Sequence, residues 1–237
     1  MKVHEIYAFL QELAPFETQE SYDNSGFLVG DKDAEVTKIC LCLDITLDVV
    51  AEAAEKGANL IISHHPVIFK ALSDIKAGTA VHRLAKHEIN AICAHTNFDN
   101  DILPSIMADL LGFPQSGILP NEITADELAK RCKSAFKSPF AKYVDGGKPI
   151  RRVAVCPGSG GSKFDEAVEN GCDAFITGEM KHSDMIKAKD LGVTLIEAGH
   201  FHTEIILCDF LKSKIYERFP QVPLFIADSA TEPCKYL

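Results

Sequence analysis

Short apolar runs alternate with amphipathic segments along the first half of the chain. Buried strands are predicted at three of these runs, residues 38–45, 59–63 and 90–94. Helices are predicted where apolar residues recur at helical spacing, over residues 2–13, 47–54 and 80–89. Because strands and helices alternate in this order, the pattern predicts an α/β fold with a parallel sheet covered by helices.

The second half of the chain repeats this order. Strands are predicted at four apolar runs, residues 152–156, 174–177, 193–198 and 224–227. Helices are predicted over three segments that begin near Ser162, Ser183 and Thr203. Residues 124–150 are weaker in pattern, and we interpret them as the connection between the halves.

The two halves also resemble each other in detail. AEAAEKGANLIISHH, which ends at His65, aligns with DEAVENGCDAFITGE, which ends at Glu179. A His-x-x-x-acid motif follows a short apolar strand in each half, at residues 95–99 and 200–204. We infer a duplicated βαβ plan and two similar α/β domains. The first is expected to combine residues 1–123 with 191–237 and to carry most of the candidate metal ligands, and the second to span 124–190.

Composition and charge narrow the class of protein. Hydrophobic residues make up 46% of the chain and charged residues 24%, as in ordinary globular proteins. A formal charge of −10 disfavours binding to nucleic acid. No apolar run reaches the roughly 20 residues of a membrane span, and the start of the chain lacks a signal-peptide core. The eight cysteines are irregularly spaced, so we interpret them as reduced core thiols of a soluble cytoplasmic protein.

Two adjacent histidines, His64 and His65, follow the predicted strand at residues 59–63. The carboxyl edge of a parallel sheet is where α/β proteins place their sites. Pro66 keeps His65 extended, so the two imidazoles are expected on opposite sides of the chain. This arrangement suits two neighbouring metal ions better than one. Taken alone, such a pair is more often structural than metal-binding.

The two His-x-x-x-acid motifs add carboxylates to this set. Imidazole and carboxylate together suit zinc, manganese or iron(II). His200 and Glu204 are four residues apart and point the same way if they lie on one helical turn. Asp99 has an alternative interpretation as a helix cap, and Glu204 as a first-turn acid favoured by the helix dipole. The His-x-x-x-acid motif occurs twice and a double histidine accompanies it. The five residues together therefore indicate a metal site more strongly than any one of them does.

Five segments in order, SYDNSGFLVG, ISHHPVIFK, AHTNFDN, TGEMKHSD and EAGHFHTE, carry a family resemblance. Over essentially its whole length the chain resembles the Nif-three-like proteins, whose bacterial members include YbgI and the GTP cyclohydrolase 1 type 2 homologs. Tyr22 stands where the family often has tryptophan, and the large central insertion of longer members is missing. The resemblance implies a two-domain Nif-three-like fold, a dinuclear metal site and a ring-shaped homohexamer. The ligands implied by motif position are His64, His65, Asp99, His200 and Glu204.

The family name implies a metal-dependent hydrolase with GTP as the candidate small-molecule substrate, whose guanine ring would be opened by water with release of formate. Two divalent ions per chain are expected, zinc first and manganese or iron as alternatives. His95 and Glu179 are our candidates for the acid and base, His95 being preferred in this role over that of a sixth ligand. Glu179 and His182 have an equally favoured alternative as residues that rim the pocket.

Candidates for binding the charged groups of a nucleotide are few. They are Lys70, Lys181 and the glycine-rich turn PGSGGS at residues 157–162, for which a plain turn is the favoured interpretation. Two other functions stay open, a non-catalytic metal-binding or adaptor protein and a metal-dependent phosphoesterase. Open coordination positions favour catalysis, whereas saturated ones favour a structural role.

Overall fold

The structure, a computed structural model, describes all of residues 1–237. The helices are α1 Val3–Leu13, α2 Leu47–Glu55, α3 Ala80–Lys86, α4 Thr96–Asp99, α5 Ile102–Leu111, α6 Ala125–Ala135, α7 Phe164–Glu169, α8 His182–Leu191, α9 His200–Glu204 and α10 Ile206–Arg218. The strands are β1 Gly26–Val29, β2 Ile39–Cys42, β3 Leu60–Ser63, β4 Asn90–Cys93, β5 Ile118–Ile123, β6 Lys142–Val144, β7 Ile150–Cys156, β8 Ala174–Thr177, β9 Thr194–Glu197 and β10 Leu224–Ile226. Short 3-10 turns lie at Phe16–Thr18 and Gly160–Lys163.

The chain forms two compact units. The N-terminal unit comprises Met1–Asn100 with Leu207–Thr231, and the central unit comprises Asp101–Ile206 with Glu232–Leu237. These boundaries differ from those expected from the sequence, because residues 101–123, 191–206 and 232–237 belong to the central unit. The physical reason is strand pairing: β5 pairs with β7, and β9 pairs with β8.

The N-terminal unit is built on a five-stranded sheet in the order β1-β4-β3-β2-β10. All neighbouring strands are parallel except β1, which is antiparallel to β4. Every residue of β2, β3 and β4 is buried, as expected for parallel strands covered on both faces. Cys42, Ser63 and Cys93 are paired across the ends of these strands. The segments that follow them therefore emerge together at one edge of the sheet.

The central unit has its own five-stranded sheet, in the order β5-β7-β8-β9-β6. Its middle strands β7, β8 and β9 are parallel, and both edge strands are antiparallel to their neighbours. Cys156, Thr177 and Glu197 are paired at the ends of the parallel strands. Each sheet thus contains at least three parallel strands in a row, connected along the chain by helices, which confirms the expected α/β class.

Local sequence signals explain where several helices begin and end. Thr46 and Thr79 accept hydrogen bonds from the backbone N–H groups of the first turns of α2 and α3. Gly112 and Gly192 adopt the left-handed conformation and end α5 and α8. The longest helix, α10, has 13 residues, and none of the helices combines the length and apolar character needed to cross a bilayer.

The prediction that residues 124–150 merely connect the halves is wrong. They hold α6 and β6, and α6 begins with a capping box in which Thr124 and Glu127 bond each other's backbone N–H groups. Leu128 and Cys132 of α6 are buried in the core of the central unit. The single helix expected from Thr203 onward is two helices in the structure. The first, α9, begins earlier than expected, at His200, and α10 follows it.

Candidate metal site

His64 and His65 leave the end of β3 in a fixed backbone conformation. Their N–H groups donate to the carbonyls of Cys42 and Leu43, which continues the pairing with β2. His64 is buried, and its Nδ1 lies 2.8 Å from the carbonyl oxygen of Ala94. A carbonyl oxygen only accepts hydrogen bonds, so Nδ1 of His64 carries a proton and Nε2 is the nitrogen that can bind a metal.

His65 is oriented in the same way by a carboxylate. Its Nδ1 lies 2.9 Å from Oδ1 of Asp44, a residue just beyond the end of β2. An ionised carboxylate also only accepts, so this contact again places the proton on Nδ1. Carboxylate and carbonyl partners of this kind are what fix the ring and tautomer of metal-binding histidines.

His95 is the third histidine of this group and lies immediately before α4. Its Nδ1 is 2.8 Å from Oδ1 of Asp23, whose side chain is fully buried. Burial by itself raises the pKa of Asp23, but hydrogen bonds from His95, Thr96 and Ser25 outweigh it and hold this pKa well below its ordinary value. Asp23 is therefore an ionised carboxylate.

The three imidazoles form one cluster, which we call the histidine cluster: His64, His65 and His95. Each offers a ring nitrogen within 4.8 Å of those of the others. Their ring centroids are 5.0 to 5.4 Å apart. Three nitrogen donors at this spacing can hold a metal ion. The structure thus brings His95, a candidate acid or base, beside two of the predicted ligands.

Asp99 faces the histidine cluster. Its Oδ1 lies 3.3 Å from Nε2 of His64, and its Oδ2 lies 4.0 Å from Nε2 of His95. Oδ1 of Asp99 is buried and receives no hydrogen bond. Because the proton of His64 is on Nδ1, two electron-rich atoms meet here, and a positive charge is needed between them. A metal cation would supply that charge, so the residues present fit a metal. Asp99 lies within α4 and caps no helix.

The central unit carries a second group of ligand-type residues, His200 and Glu204, which we call the α9 pair. Nε2 of His200 lies 3.0 Å from Oε2 of Glu204 one helical turn later, and Glu204 is buried. Nδ1 of His200 lies 3.6 Å from Oε2 of Glu179, which is more exposed. The prediction that both ligand groups of GHFHTE point the same way is confirmed by this geometry.

Glycines make room for the α9 pair. A Cβ atom on Gly158 would lie 1.9 Å from Oε1 of Glu204 and 3.2 Å from Nε2 of His200. A Cβ atom on Gly178 would lie 2.7 Å from the Cα atom of His200. Gly158 also has φ of +54°, a conformation that glycine adopts without strain. The strand ends of the central unit are therefore shaped around this histidine and this carboxylate.

The glycine-rich turn at residues 157–162 is occupied by internal hydrogen bonds. The N–H groups of Gly158 and Gly160 donate to the hydroxyls of Thr203 and Thr177. The carbonyl of Gly158 accepts from the N–H groups of Gly178 and Glu179. With two of its amides committed in this way, the turn supports the α9 pair and has the plain-turn role that the sequence favoured.

Three predicted candidates, His182, Lys70 and Lys181, and the nearby His202 belong to neither of these groups. His202 faces Glu232, with 3.9 Å between Nε2 and Oε2, and burial lowers the pKa of His202. His182 begins α8 and is exposed, as are Lys70 and Lys181. Sequence reasoning missed Asp23 and Asp44. A signal was available for both, since Asp44 ends the LCLD run and Asp23 lies in the YDNSG segment.

Together, the fold and these clusters define an α/β protein with groups that can hold a metal ion. The chain belongs to the family described as Duf34/NIF3 (NGG1p interacting factor 3), whose model matches residues 1–233. This confirms the resemblance drawn from the five sequence segments.

Individual relatives agree with this assignment. A Clostridium acetobutylicum protein named GTP cyclohydrolase 1 type 2 homolog is 31% identical, with 100% of this chain and 99% of that protein covered. A Campylobacter jejuni protein of the same name is 36% identical over 86% of this chain and 88% of its own length. The crystal structure of a Staphylococcus aureus hypothetical protein matches with a TM-score of 0.91 and 30% identity, covering 100% of this chain and 99% of that one.

Proposed function

We propose that this chain is a metal-dependent hydrolase that holds two divalent ions with His64, His65, Asp99, His200 and Glu204. The observation that carries it is the histidine cluster, in which every ring is bonded through Nδ1 to a carbonyl or carboxylate oxygen, the arrangement that orients metal-binding histidines. In line with the family resemblance, we take these five side chains as the ligands of one dinuclear centre, and His95 is not among them. This mixed nitrogen and oxygen donor set suits zinc first, with manganese or iron(II) as alternatives.

The chain supplies its own groups for proton transfer. When bound, two divalent ions lower the pKa of water and stabilise negative charge as it develops. We assign His95 as one acid or base, because its Nε2 faces the Asp99 side of the histidine cluster while its Nδ1 is already bonded. Glu179 is the second candidate, since its carboxylate is accessible and lies 3.6 Å from Nδ1 of His200.

We propose GTP as the substrate, on the strength of the names that the relatives carry. One water would add to C8 and the C8–N9 bond would break, which leaves a formyl group on N7, and a second water would hydrolyse that C8–N7 bond and release C8 as formate. GTP and this chain are both negatively charged, so the phosphates require local cations. Lys70 and Lys181 are exposed and are our candidates for that role.

A GTP turnover assay tests this function. Protein stripped of metal is reloaded with zinc, manganese or iron(II), and formate is measured in parallel with inorganic phosphate. Metal-dependent formate release that His65→Ala abolishes is the expected result. Release of phosphate without formate would indicate a phosphoesterase and would exclude the cyclohydrolase. If no product exceeds the stripped control with any metal, the cyclohydrolase is rejected and a metal-binding or adaptor protein takes its place.

We also propose that the chain assembles into the homohexamer that the family resemblance implies. This proposal rests on the resemblance, since the family's ring consists of six copies of one chain. Light scattering is expected to give about six times the chain mass. A mass near 25.9 kDa at micromolar concentration would contradict assembly.

A further inference from the structure

Asp23 is a buried carboxylate for which the reaction proposed above names no role. Its side chain is fully excluded from solvent, and it accepts five hydrogen bonds. Nδ1 of His95 and the N–H of Asn24 donate to Oδ1. The hydroxyl of Ser25 and both the N–H and hydroxyl of Thr96 donate to Oδ2. Five donors satisfy both oxygens of this buried charge, and they fix the orientation of the carboxylate.

We infer that Asp23 is a positioning residue that keeps the proton of neutral His95 on Nδ1 and turns Nε2 toward Asp99. The charged carboxylate has no proton to donate, so the shared hydrogen must belong to His95. Nε2 is then the nitrogen with an available lone pair, and it lies 4.0 Å from Oδ2 of Asp99. In carboxylate–histidine pairs of this kind, the carboxylate sets both the tautomer and the ring orientation.

The other bonds to Asp23 make this orientation rigid. Thr96 begins α4, and its two bonds hold the carboxylate against the start of the helix that carries Asp99. Ser25 bonds Asp23 and also accepts from the N–H of His95, so it fixes the backbone of the same histidine. The ring of His95 cannot rotate without breaking its bond to a carboxylate that is itself held on both oxygens.

The tautomer can be observed directly, without a substrate or a metal. Metal-free protein labelled with 15N-histidine is studied by long-range 1H–15N correlation at mildly alkaline pH, and His95→Gln identifies the signals of His95. The wild type is expected to show a proton on Nδ1 and none on Nε2. In Asp23→Asn the side-chain amide can donate to Nδ1, so the proton of His95 is expected to move to Nε2.

Asp44→Asn is the matched control, because Asp44 makes the corresponding contact to Nδ1 of His65. It is expected to move the proton of His65 and leave that of His95 unchanged. A wild-type His95 with its proton on Nε2, or with both nitrogens protonated, would overturn the inference. So would an unchanged tautomer in folded Asp23→Asn. If that variant does not fold, the wild-type spectrum decides between the two tautomers by itself.

The consequence for turnover depends on the function proposed above. If the chain releases formate from GTP, Asp23→Asn is expected to lower kcat about 10-fold to 100-fold while bound metal stays at the wild-type level. Equal loss of kcat and metal would instead place Asp23 among the groups that secure the metal. Should the wild type turn over no GTP, the tautomer measurement still stands, so the two ideas fail separately.

Discussion

The two units place different chemistry on the same strand plan. In the N-terminal unit, β3 is followed by His64 and His65, whereas at the equivalent position of the central unit β8 is followed by Gly178 and Glu179. Each third parallel strand then leads to a short helix with a His-x-x-x-acid motif, α4 or α9. The shared scaffold sets where side chains emerge, and the residue types at those points set what each unit offers.

The segment after the first parallel strand shows the difference most clearly. Asp44 follows β2 and orients His65, whereas its counterpart after β7 is Gly158. A side chain on Gly158 would occupy the space of the Glu204 carboxylate. One unit therefore holds its histidines by acceptors on Nδ1, and the other holds its carboxylate by leaving space for it. The duplication has been specialised by small changes at equivalent loops.

The largest effect is expected from removing a ligand in either unit. His65→Ala and Glu204→Ala should each lower bound metal from about two ions per chain to one or fewer, because both residues are proposed ligands. Elemental analysis after metal loading measures this. The melting temperature of the metal-free variants should stay near that of the wild type, since the apolar strands build the cores.

His87→Ala, which changes an exposed histidine at the end of α3, is the control and should keep the wild-type metal content. Loss of metal from only one of the two ligand variants would show that the units act separately. Unfolding of both would point to a structural metal.

A smaller effect should follow when space is removed beside Glu204. Gly158→Ala places a methyl group against the carboxylate and is expected to weaken metal affinity about 10-fold to 100-fold. Gly171→Ala is the matched control, because φ is +73° there and a Cβ atom would meet nothing within 4 Å. Both variants carry about 1–2 kcal/mol of left-handed strain, so only the difference in metal titration reports on Glu204. Equal affinities would mean that the carboxylate moves aside freely.

The smallest expected effect is on the free energy of unfolding. It is tested by comparing Glu52 with Glu166, the equivalent residue of the central unit. Glu52 of α2 accepts hydrogen bonds from Lys56 and from the N–H groups of Asp228 and Ser229, together with the Ser229 hydroxyl. Burial raises the pKa of Glu52, but these bonds outweigh it and lower the pKa to about 2. A lowered folded-state pKa stabilises the protein above the ordinary pKa of about 4.5, and this is lost as pH falls toward 2.

Glu52→Gln is therefore expected to cost about 1–3 kcal/mol of unfolding free energy at neutral pH, and the difference should shrink as pH falls from about 4.5 to 2. Denaturant unfolding at several pH values measures it. The equivalent Glu166 of α7 is exposed and its carboxylate makes no hydrogen bond, so Glu166→Gln should change stability by no more than about 0.5 kcal/mol. Equal effects of the two substitutions, or a cost for Glu52→Gln that does not depend on pH, would contradict this account.

The parallel core was predictable because its strands are buried on both faces and read as continuous apolar runs. The edge strands were not: β5 and β6 are mostly exposed, and a half-exposed strand paired on one side leaves little apolar pattern. The weak apolar signal of α6 likewise hid a helix whose capping box was present in the sequence. Where tertiary pairing decides the structure, local pattern gives only a weak prediction.

The candidate site was predictable in part for a related reason. Residues at strand ends, such as His64 and His200, stand out because the topology brings strand ends together. Asp23 does not, since its partner His95 lies 72 residues away in the chain. The YDNSG segment draws attention to Asp23, but no periodic pattern shows which side chain it contacts, so its role becomes clear from the folded contacts.

The path of the chain has a consequence for its synthesis on the ribosome. Strand β10 pairs with β2, so Leu224 lies against Ile39, although residues 101–206 of the central unit come between them in the sequence. A nascent chain therefore exposes one edge of β2 until the segment around Leu224 has emerged. An unpaired apolar strand edge is a site for aggregation. We expect the central unit to form first during translation and the N-terminal sheet to close last, which makes that interval the point at which chaperones are most needed.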